Sequence, residues 1–196
     1  MSVKILGGSL KGMPLKVLDI DSLRPTTVML RRKFFDSFQD WDGINFCDFF
    51  AGSGAMGIEA LSRGSSKILL NDKNRRVFEQ LQLTRDEVLQ KTSFQSEQIK
   101  LSSIDGTRCF KNLLSEIDND SNQQETWCFF IDPPYDHQKA YEQFFEQFQK
   151  LANKGEFFIV IEGEKGRGMS LDAWQEAYPK GKCLWSGDHY MFMTWL

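Results

Sequence analysis

The sequence predicts an α/β fold built on a mostly parallel β-sheet that helices cover on both faces. From Ile44 onward, short apolar runs of β character alternate with stretches whose apolar residues recur at helical spacing. The first apolar run passes directly into a glycine-rich turn and a helix, as the strand–turn–helix units of such folds do. The 196 residues, 41% of them hydrophobic, suit one domain with at most a small appendage.

The N-terminal stretch VKILGGSLKGMPLKVL, residues 3–18, predicts two short strands joined by a glycine-rich turn. We expect a β-hairpin arm over residues 1–23, outside the main core, and the main domain over residues 24–196. Pro25 disfavours a helical conformation at the residue before it. Thr26 or Thr27 can cap the helix that follows.

A helix is predicted from Val28 to Phe38, because apolar residues four positions apart share one face. Its opposite face is expected to carry three basic side chains, those of Arg31, Arg32 and Lys33. Residues 1–35 hold seven basic and two acidic side chains, a net charge of +5, whereas the whole chain has −3. This segment is either a surface for nucleic-acid phosphates or an ordinary solvated face, and charge alone does not separate the two.

The rest of the chain predicts seven strands with helices between most of them. Strands are expected near residues 45–50, 67–71, 99–103, 127–131, 157–161, 181–185 and 190–195. Arg75–Lys91 is the longest predicted helix. Only Ser186 to His189 separate the last two strands, which should therefore form an antiparallel hairpin at one edge of the sheet.

The glycine turn is the first candidate binding element. The segment from Gly52 to Gly57 has the spacing G-x-G-x-x-G, and a helix is expected from Ile58 to Arg63. Glycines allow close approach of a ligand, and a helix N-terminus offers free N–H groups. Asp72 follows Gly52 by twenty residues, as expected for a carboxylate that accepts hydrogen bonds from ribose hydroxyls.

Further acidic residues follow predicted strands, at the edge of the sheet where ligands bind in open α/β folds. Asp72 is either a ribose ligand or the N-cap of the helix after it. Asp105, beside Gly106, either accepts from an adenine amino group or caps the helix near Thr107.

The segment Asp132-Pro133-Pro134-Tyr135 follows the strand near 127–131 and is the most specific chemical feature. Two prolines remove two N–H donors, which leaves the Asp132 carboxylate and the Pro133 carbonyl as acceptors. An aromatic ring follows that can stack on a base. This set predicts a socket that holds a planar aromatic amine by its hydrogens and aims the nitrogen lone pair at an electrophile.

The cysteine content and the distribution of apolar residues favour a protein without metal, disulfide bonds or a membrane span. Four cysteines, far apart, fit neither a zinc site nor a disulfide framework, and we expect no metal and a reducing cytoplasm. No apolar run approaches the ~20 residues of a membrane span, and the N-terminus shows no secretory signal. His137, after the DPPY segment, is more readily a structural residue than a substrate contact.

The combination of FAGSGAMGIEALSRG, the acid at Asp72 and DPPY resembles class I S-adenosylmethionine-dependent amino-methyltransferases. With the arm ILGGSLKGMPL and the loop LRPTT, the sequence resembles, over nearly its whole length, the RsmD family of bacterial small-subunit rRNA guanine-N2 methyltransferases. The resemblance implies a Rossmann-like fold with a seven-stranded sheet, an antiparallel last strand and the N-terminal hairpin. Two positions depart from the usual pattern: Arg32 stands where a glutamate is common, and Met13 where an arginine is expected.

The resemblance also implies roles for individual residues. The amine socket would be formed by Asp132, Pro133, Pro134 and Tyr135. S-adenosylmethionine would be bound by Phe50, Ala51, Gly52, Ser53, Gly54, Gly57, Asp72, Lys73, Asp105 and Gly106. Small-subunit rRNA, free or within the 30S particle, would be contacted by Lys11, Arg24, Pro25, Thr26 and Arg31. We expect a monomer with neither membrane nor metal as partner.

Two alternatives remain open at the level of the sequence. DPPY alone does not distinguish guanine N2 from adenine N6, so an adenine-N6 methyltransferase acting on DNA or another RNA is the first alternative. The glycine loop and Asp72 would also suit an NAD-dependent oxidoreductase or a catalytically silent binding module. DPPY, with no proton donor evident beside it, argues against that second alternative.

Overall fold

A computed structural model describes residues 2–20, 26–119, 125–134, 138–151, 156–167 and 169–196. Two short strands, β1 (Ser2–Lys4) and β2 (Pro14–Lys16), form an antiparallel hairpin. The main sheet has seven strands: β3 (Ile44–Asp48), β4 (Ile68–Asn71), β5 (Ile99–Ser102), β6 (Thr126–Ile131), β7 (Phe157–Glu164), β8 (Lys182–Ser186) and β9 (His189–Trp195). All seven predicted strands are thereby confirmed.

Six α-helices and one short 3₁₀ helix, Ser96–Gln98, lie within the described ranges. The α-helices are α1 (Val28–Ser37), α2 (Ala55–Ser62), α3 (Arg75–Lys91), α4 (Gly106–Asn119), α5 (Gln138–Leu151) and α6 (Leu171–Ala177). Helix α2 begins three residues earlier than predicted, because Gly54 takes a left-handed conformation with φ of 78° and is its N-cap. Thr27 caps α1 by accepting the Leu30 N–H.

The strand order in the main sheet is β5-β4-β3-β6-β7-β9-β8. Strands β3 to β7 pair in parallel, and the order reverses between β3 and β6. That reversal is the switch point beside which open α/β sheets bind ligands. The predicted hairpin of the last two strands is confirmed, with β9 antiparallel to both β7 and β8 and with β8 at the edge.

Helices cover both faces of the sheet, as the alternating pattern predicts. One core lies beneath α1, α2 and α3, and the other beneath α4, α5 and α6. The second core is dominated by aromatic rings in mutual contact, such as Phe110 with Phe129 and Phe144. No helix within the described ranges is both long and apolar enough to cross a membrane.

The hairpin was predicted outside the main core, and that prediction was wrong. Its inward residues, Val3 and Leu15 among them, are buried in the same core as α1, α2 and α3. Each strand alternates exposed and buried residues, so one face of the hairpin packs inward. Ser62, the last residue of α2, further secures it: the Leu10 N–H donates to Ser62 Oγ, and Ser62 Oγ donates to the Gly7 carbonyl.

Candidate active site

The carboxyl ends of the parallel strands bring several acidic residues to one edge of the sheet. Asp48 ends β3, Asp72 follows β4, Asp132 follows β6, and Glu162 lies near the end of β7. Adjacent strands lie about 4.8 Å apart. The acids flank the glycine loop and the switch point, which makes this edge the candidate active site.

The glycine loop and Asp72 are joined directly, as the spacing predicts. The Gly52 N–H donates to Asp72 Oδ2 at 3.1 Å, and the Asn74 N–H donates to Asp72 Oδ1 at 2.9 Å. The alternative role of Asp72 as helix N-cap does not hold. Asn74 caps α3, because its side chain accepts from the N–H groups of Arg76 and Val77.

The Asp72 carboxyl has acceptor capacity left for a ligand. Each carboxylate oxygen accepts one backbone hydrogen bond and can accept another. Burial raises the pKa of Asp72, and its two backbone hydrogen bonds partly offset that shift. This geometry suits ribose hydroxyls as donors, and a negative carboxylate there would repel a bound phosphate.

Two of the predicted cofactor glycines make close packing contacts. A Cβ on Gly57 would lie 2.3 Å from Leu70 Cδ2, and a Cβ on Gly106 would lie 2.6 Å from the Phe50 ring. Gly57 therefore serves helix-to-sheet packing, and the fully buried position gives no support to the predicted ligand contact. Gly106 lets the half-buried Phe50 ring lie against the start of α4.

The other predicted cofactor residues lie in or beside the loop after β3. The Ala51 N–H donates to the Asn71 carbonyl at 2.8 Å, which ties this loop to β4. Ser53 is half-buried and Lys73 is exposed, next to Asp72. The structure thus gathers Phe50, Ala51, Ser53 and Lys73 around the glycine loop.

Asp105 has the capping role that the sequence left open. Its Oδ1 accepts from the Thr107 N–H at 3.0 Å, from the Thr107 hydroxyl at 2.6 Å and from the Arg108 N–H at 3.3 Å. The Thr107 hydroxyl is the main reason that the pKa of Asp105 lies below its usual value. Since these bonds use one oxygen, the carboxylate at the start of α4 can still accept from a ligand.

Asn71 is a site residue that sequence reasoning missed. Its side-chain N–H₂ donates to the carbonyls of Phe49 and Ile104, each at 3.0 Å, and its Oδ1 accepts from the Ile104 N–H at 3.2 Å. One buried amide therefore fixes the loops after β3 and β5 against the end of β4. The available signal was a polar residue closing an otherwise apolar strand, directly before Asp72.

Asp132 and Pro133 directly follow the end of β6, one strand from the glycine loop. Asp132 keeps part of its surface exposed, yet burial of its carboxyl raises the pKa to about 7. The Pro133 carbonyl receives the Tyr141 hydroxyl at 3.3 Å, a long contact that leaves a lone pair available. Pro134 is half-buried, and the predicted residues Tyr135 and His137 lie outside the described residues.

Glu162 is the second residue that the sequence did not reveal. It is 2% exposed and its Oε2 accepts from the Thr26 hydroxyl at 2.7 Å. Thr26 is one of the predicted substrate residues, so the segment before α1 contacts the site. Burial, with the charges of Asp132 and Asp48 adding to it, raises the pKa of Glu162, and the hydrogen bond from Thr26 partly offsets that shift.

Asp48 completes the buried acids at this edge. It is 2% exposed, and its Oδ1 accepts the Phe50 N–H at 3.2 Å. Burial raises its pKa well above the usual value, and the neighbouring Asp132 and Asp72 carboxyls add to the shift. Asp48 therefore binds a proton more readily than a solvated aspartate does, and its hydrogen bond to Phe50 shapes the turn after β3.

Arg31 does not lie on the exposed face of α1, contrary to expectation. It is 1% exposed, and its Nη2 donates to the Lys4 carbonyl at 2.6 Å. Burial lowers the pKa of Arg31, and the negative charge of the buried Glu59 carboxylate, which accepts the Leu6 N–H at 2.7 Å, partly offsets that shift. A buried guanidinium held by the hairpin is a structural tie, so the predicted substrate contact of Arg31 is wrong for this conformation.

Lys11 is exposed but lies far from the glycine loop. It lies in the hairpin turn whose Ser9 N–H donates to the Ser62 carbonyl, at the C-terminal end of α2. The glycine loop is at the other end of that helix, about 12 Å away. Arg24 and Pro25, the other predicted substrate residues, lie outside the described residues.

A separate groove of about 630 Å³ crosses the edge strand β5 between α3 and α4. Its lining includes Arg85, Lys100, Leu113 and Trp127. The groove reaches β6 only at Trp127, near the start of that strand, whereas Asp132 follows its end, so the groove is distinct from the candidate socket at Asp132. Within the described ranges, no cluster of three or more potential metal ligands occurs.

Comparisons with known proteins agree with this architecture. The family model described as "Conserved hypothetical protein 95" matches residues 3–180. The Bacillus subtilis protein "Putative rRNA methyltransferase YlbH" is 31% identical over 168 residues, which cover 83% of each chain. The "Ribosomal RNA small subunit methyltransferase D" of Haemophilus influenzae is 30% identical over 166 residues, which cover 84% of this chain and 80% of that protein.

Two solved structures show the same fold. "Putative methyltransferase yhhF from Escherichia coli" superimposes with a TM-score of 0.70 and 21% identity, covering 100% of this chain and 98% of that one. The structure titled "SMU.776, a putative methyltransferase complexed with SAH" gives a TM-score of 0.64 and 15% identity, covering 94% of this chain and 54% of that one. By its sequence and its fold, this chain belongs to the ribosomal RNA small subunit methyltransferase D (RsmD) family, and it is an S-adenosylmethionine-dependent methyltransferase.

Proposed function

We propose that this chain transfers a methyl group from S-adenosylmethionine to the exocyclic N2 amine of a guanine in small-subunit rRNA. The observation that carries the proposal is the pair of acceptors at the end of β6, Asp132 and the Pro133 carbonyl, one strand from the glycine loop. Membership of the family supports rRNA as the substrate class.

The residues around the glycine loop would hold the cofactor. Asp72 would accept from the ribose hydroxyls, and Asp105 with Gly106 would face the adenine. The loop from Phe50 to Gly54 would border the amino-acid end, where left-handed glycines leave room for a ligand close to the backbone. When bound, S-adenosylmethionine supplies a methyl group on a positively charged sulfur, and the electron pair of the broken S–C bond stays on that sulfur.

Asp132 would first accept a hydrogen bond from the amine. The lone pair of an aromatic amine is delocalised into the ring, so the free amine is a weak nucleophile. Two acceptors that hold its hydrogens favour a pyramidal nitrogen and stabilise the positive charge that develops as the N–C bond forms. The surplus proton on N2 then passes to the Asp132 carboxylate and from there to water.

The RNA surface would lie on the exposed face of α1 and the outer face of the hairpin. Arg32 and Lys33 are exposed on α1, and Lys4 and Lys16 are exposed on the hairpin strands. Thr26 would position the preceding segment, which contains Arg24 and Pro25, beside the target base. We further propose that the enzyme acts as a monomer in the cytoplasm on free rRNA or on the 30S particle.

The test is methylation of small-subunit RNA from cells that lack the protein. Purified enzyme with isotope-labelled cofactor should label that RNA, and nucleoside analysis should find the label in N2-methylguanosine. RNA from cells that contain the protein is the matched control and should accept little label. Label in N6-methyladenosine would establish the adenine alternative, and no label in any RNA would refute the proposal.

A further inference from the structure

Glu162 lies directly beside Asp132 in the sheet. Strands β6 and β7 are parallel, with Ile131 paired to Ile161. The residues that follow this pair, Asp132 and Glu162, are therefore also in register. Residues in register project to the same face, and their strands are about 4.8 Å apart. Phe130 and Val160, two residues before each acid, lie in the core beneath α1, which places both carboxyls toward that helix.

The surroundings of Glu162 leave it little contact with water. Its side chain is buried, and three described groups act on the carboxyl: Asp132 after β6, Asp48 on β3, and the Thr26 hydroxyl before α1. On β9, the residue in register is Met191, which carries no charge. Two adjacent carboxyls, one buried and the other partly exposed, cannot readily both be ionised, so the pair holds one proton to a higher pH than an isolated carboxyl would.

Glu162 is also fixed in place from both sides. The Thr26 hydroxyl holds the carboxyl from the α1 side, at 2.7 Å. From α5, the Tyr141 hydroxyl donates toward the Glu162 carbonyl at 3.0 Å and toward the Pro133 carbonyl at 3.3 Å. The same residue thus connects the segment before α1 to the two acceptors of the amine socket.

We propose that Glu162 is a positioning residue for methyl transfer: it keeps the retained proton, so that the charge of the pair resides on Asp132, and it holds Thr26 at the socket. This inference rests on the function proposed above. The neutral Glu162 carboxyl lets Asp132 ionise without a second negative charge beside it. Asp132 is then free to accept from the amine and to take up its surplus proton.

The proton on Glu162 is tested on the protein alone, by infrared spectroscopy at pH 8. The difference spectrum between wild type and Glu162→Gln should contain the C=O stretching band of a protonated carboxyl, present in wild type and missing from the variant. Glu164→Gln, on the same strand and paired with Arg167 in the native chain, is the control and should remove only a carboxylate band. A wild-type carboxylate band in place of the protonated one would overturn the proposal.

The positioning role is tested by turnover on small-subunit RNA. Glu162→Ala should lower kcat at least tenfold more than Glu162→Gln, because the amide is neutral and still accepts from Thr26. The affinity for S-adenosylhomocysteine should change less than twofold in both variants, which also shows that they are folded. Equal losses in the two variants, or a loss confined to thermal stability, would contradict a positioning role.

Thr26 provides an independent arm of the test. Thr26→Val should lower kcat about tenfold, whereas Thr26→Ser, which keeps the hydroxyl, should have nearly the wild-type kcat. The double variant Thr26→Val with Glu162→Ala should have a kcat only slightly below that of Glu162→Ala alone. Full additivity would show that the two residues act separately. If wild type labels no small-subunit RNA, the proposed function fails, whereas the infrared result still decides whether Glu162 holds the proton.

Discussion

The Gly52 N–H donates to Asp72 Oδ2 at 3.1 Å, which fixes the Asp72 carboxylate against the glycine loop. We predict that Asp72→Ala weakens binding of S-adenosylhomocysteine about 10- to 100-fold. The variant loses charge-assisted bonds to the ligand, each worth about 1.5–3 kcal/mol, and releases the loop. Isothermal titration calorimetry measures the effect.

The matched control for Asp72 is Asp86→Ala, an exposed acid on α3 that pairs with Arg85. Its affinity for S-adenosylhomocysteine should equal that of wild type. If Asp72→Ala also binds with wild-type affinity, Asp72 serves only the loop conformation and does not contact the cofactor.

Asp132 should affect turnover far more than cofactor binding. We predict that Asp132→Ala lowers kcat by about 10²–10³-fold, the usual cost of removing one group that stabilises developing charge. The affinity for S-adenosylhomocysteine should stay within about threefold of wild type. A similar loss in both quantities would identify Asp132 as a cofactor residue instead.

The pH dependence follows from the pKa of Asp132, which burial raises to about 7. Only the carboxylate can take up the surplus proton of the amine, so activity requires the deprotonated form. We predict that kcat/KM falls about tenfold per pH unit below pH 6 and levels off above pH 8. A profile that is flat from pH 5.5 to 8 would show that Asp132 titrates outside this range or is not the acceptor.

The exposed basic residues of α1 should contribute to RNA binding. Reversing both charges, with Arg32→Glu and Lys33→Glu, should weaken RNA binding and reduce the slope of log K against log salt by roughly 0.7–0.9 for each phosphate that the variant no longer neutralises. Filter binding at several salt concentrations measures that slope. The control reverses Arg75 and Arg76, exposed at the start of α3, and an equal change there would mean that the α1 residues act only through net charge.

Arg31 should contribute to stability, since it holds the hairpin to α1. We predict that Arg31→Ala lowers the free energy of unfolding by about 3 kcal/mol, because it leaves Glu59 buried with less compensating charge. Urea denaturation measures this. Arg32→Ala, the next residue and exposed, should change the free energy by less than about 0.5 kcal/mol, and equal effects would show that Arg31 is not a structural tie.

The helices and strands were predictable from the sequence, whereas the long-range contacts between them were not. Asn74 and Thr27 precede α3 and α1 with ordinary capping chemistry, and the buried run of β6 is continuously apolar. Helical spacing identified one buried face of α1 but could not show that the hairpin also covers Arg31. The hydrogen bond between Arg31 and Lys4 joins residues 27 positions apart, which no local pattern encodes.

The same distinction applies to the candidate site: residues in local motifs were predictable, and residues that act through long-range contacts were not. Asp72, Gly52 and Asp132 stand in short motifs with a chemical rationale, and the fold brings them to one edge of the sheet. Glu162 is one of two acids near the end of a largely apolar strand, and its contact with Thr26, 136 positions away, is visible only in the fold. Gly57 has the spacing expected of a glycine that contacts a ligand, yet it packs against Leu70. The sequence could not distinguish these roles, because close helix packing and close ligand approach both require glycine.

The central claim is the identity of the methylated group, and it is tested most directly by nucleoside analysis of small-subunit RNA after reaction with purified enzyme and isotope-labelled S-adenosylmethionine. With RNA from cells that lack the protein, we predict label in N2-methylguanosine, formed about 10²–10³ times more slowly by the Asp132→Ala enzyme than by wild type. Label in another nucleoside, or wild-type labelling by Asp132→Ala, would contradict the account.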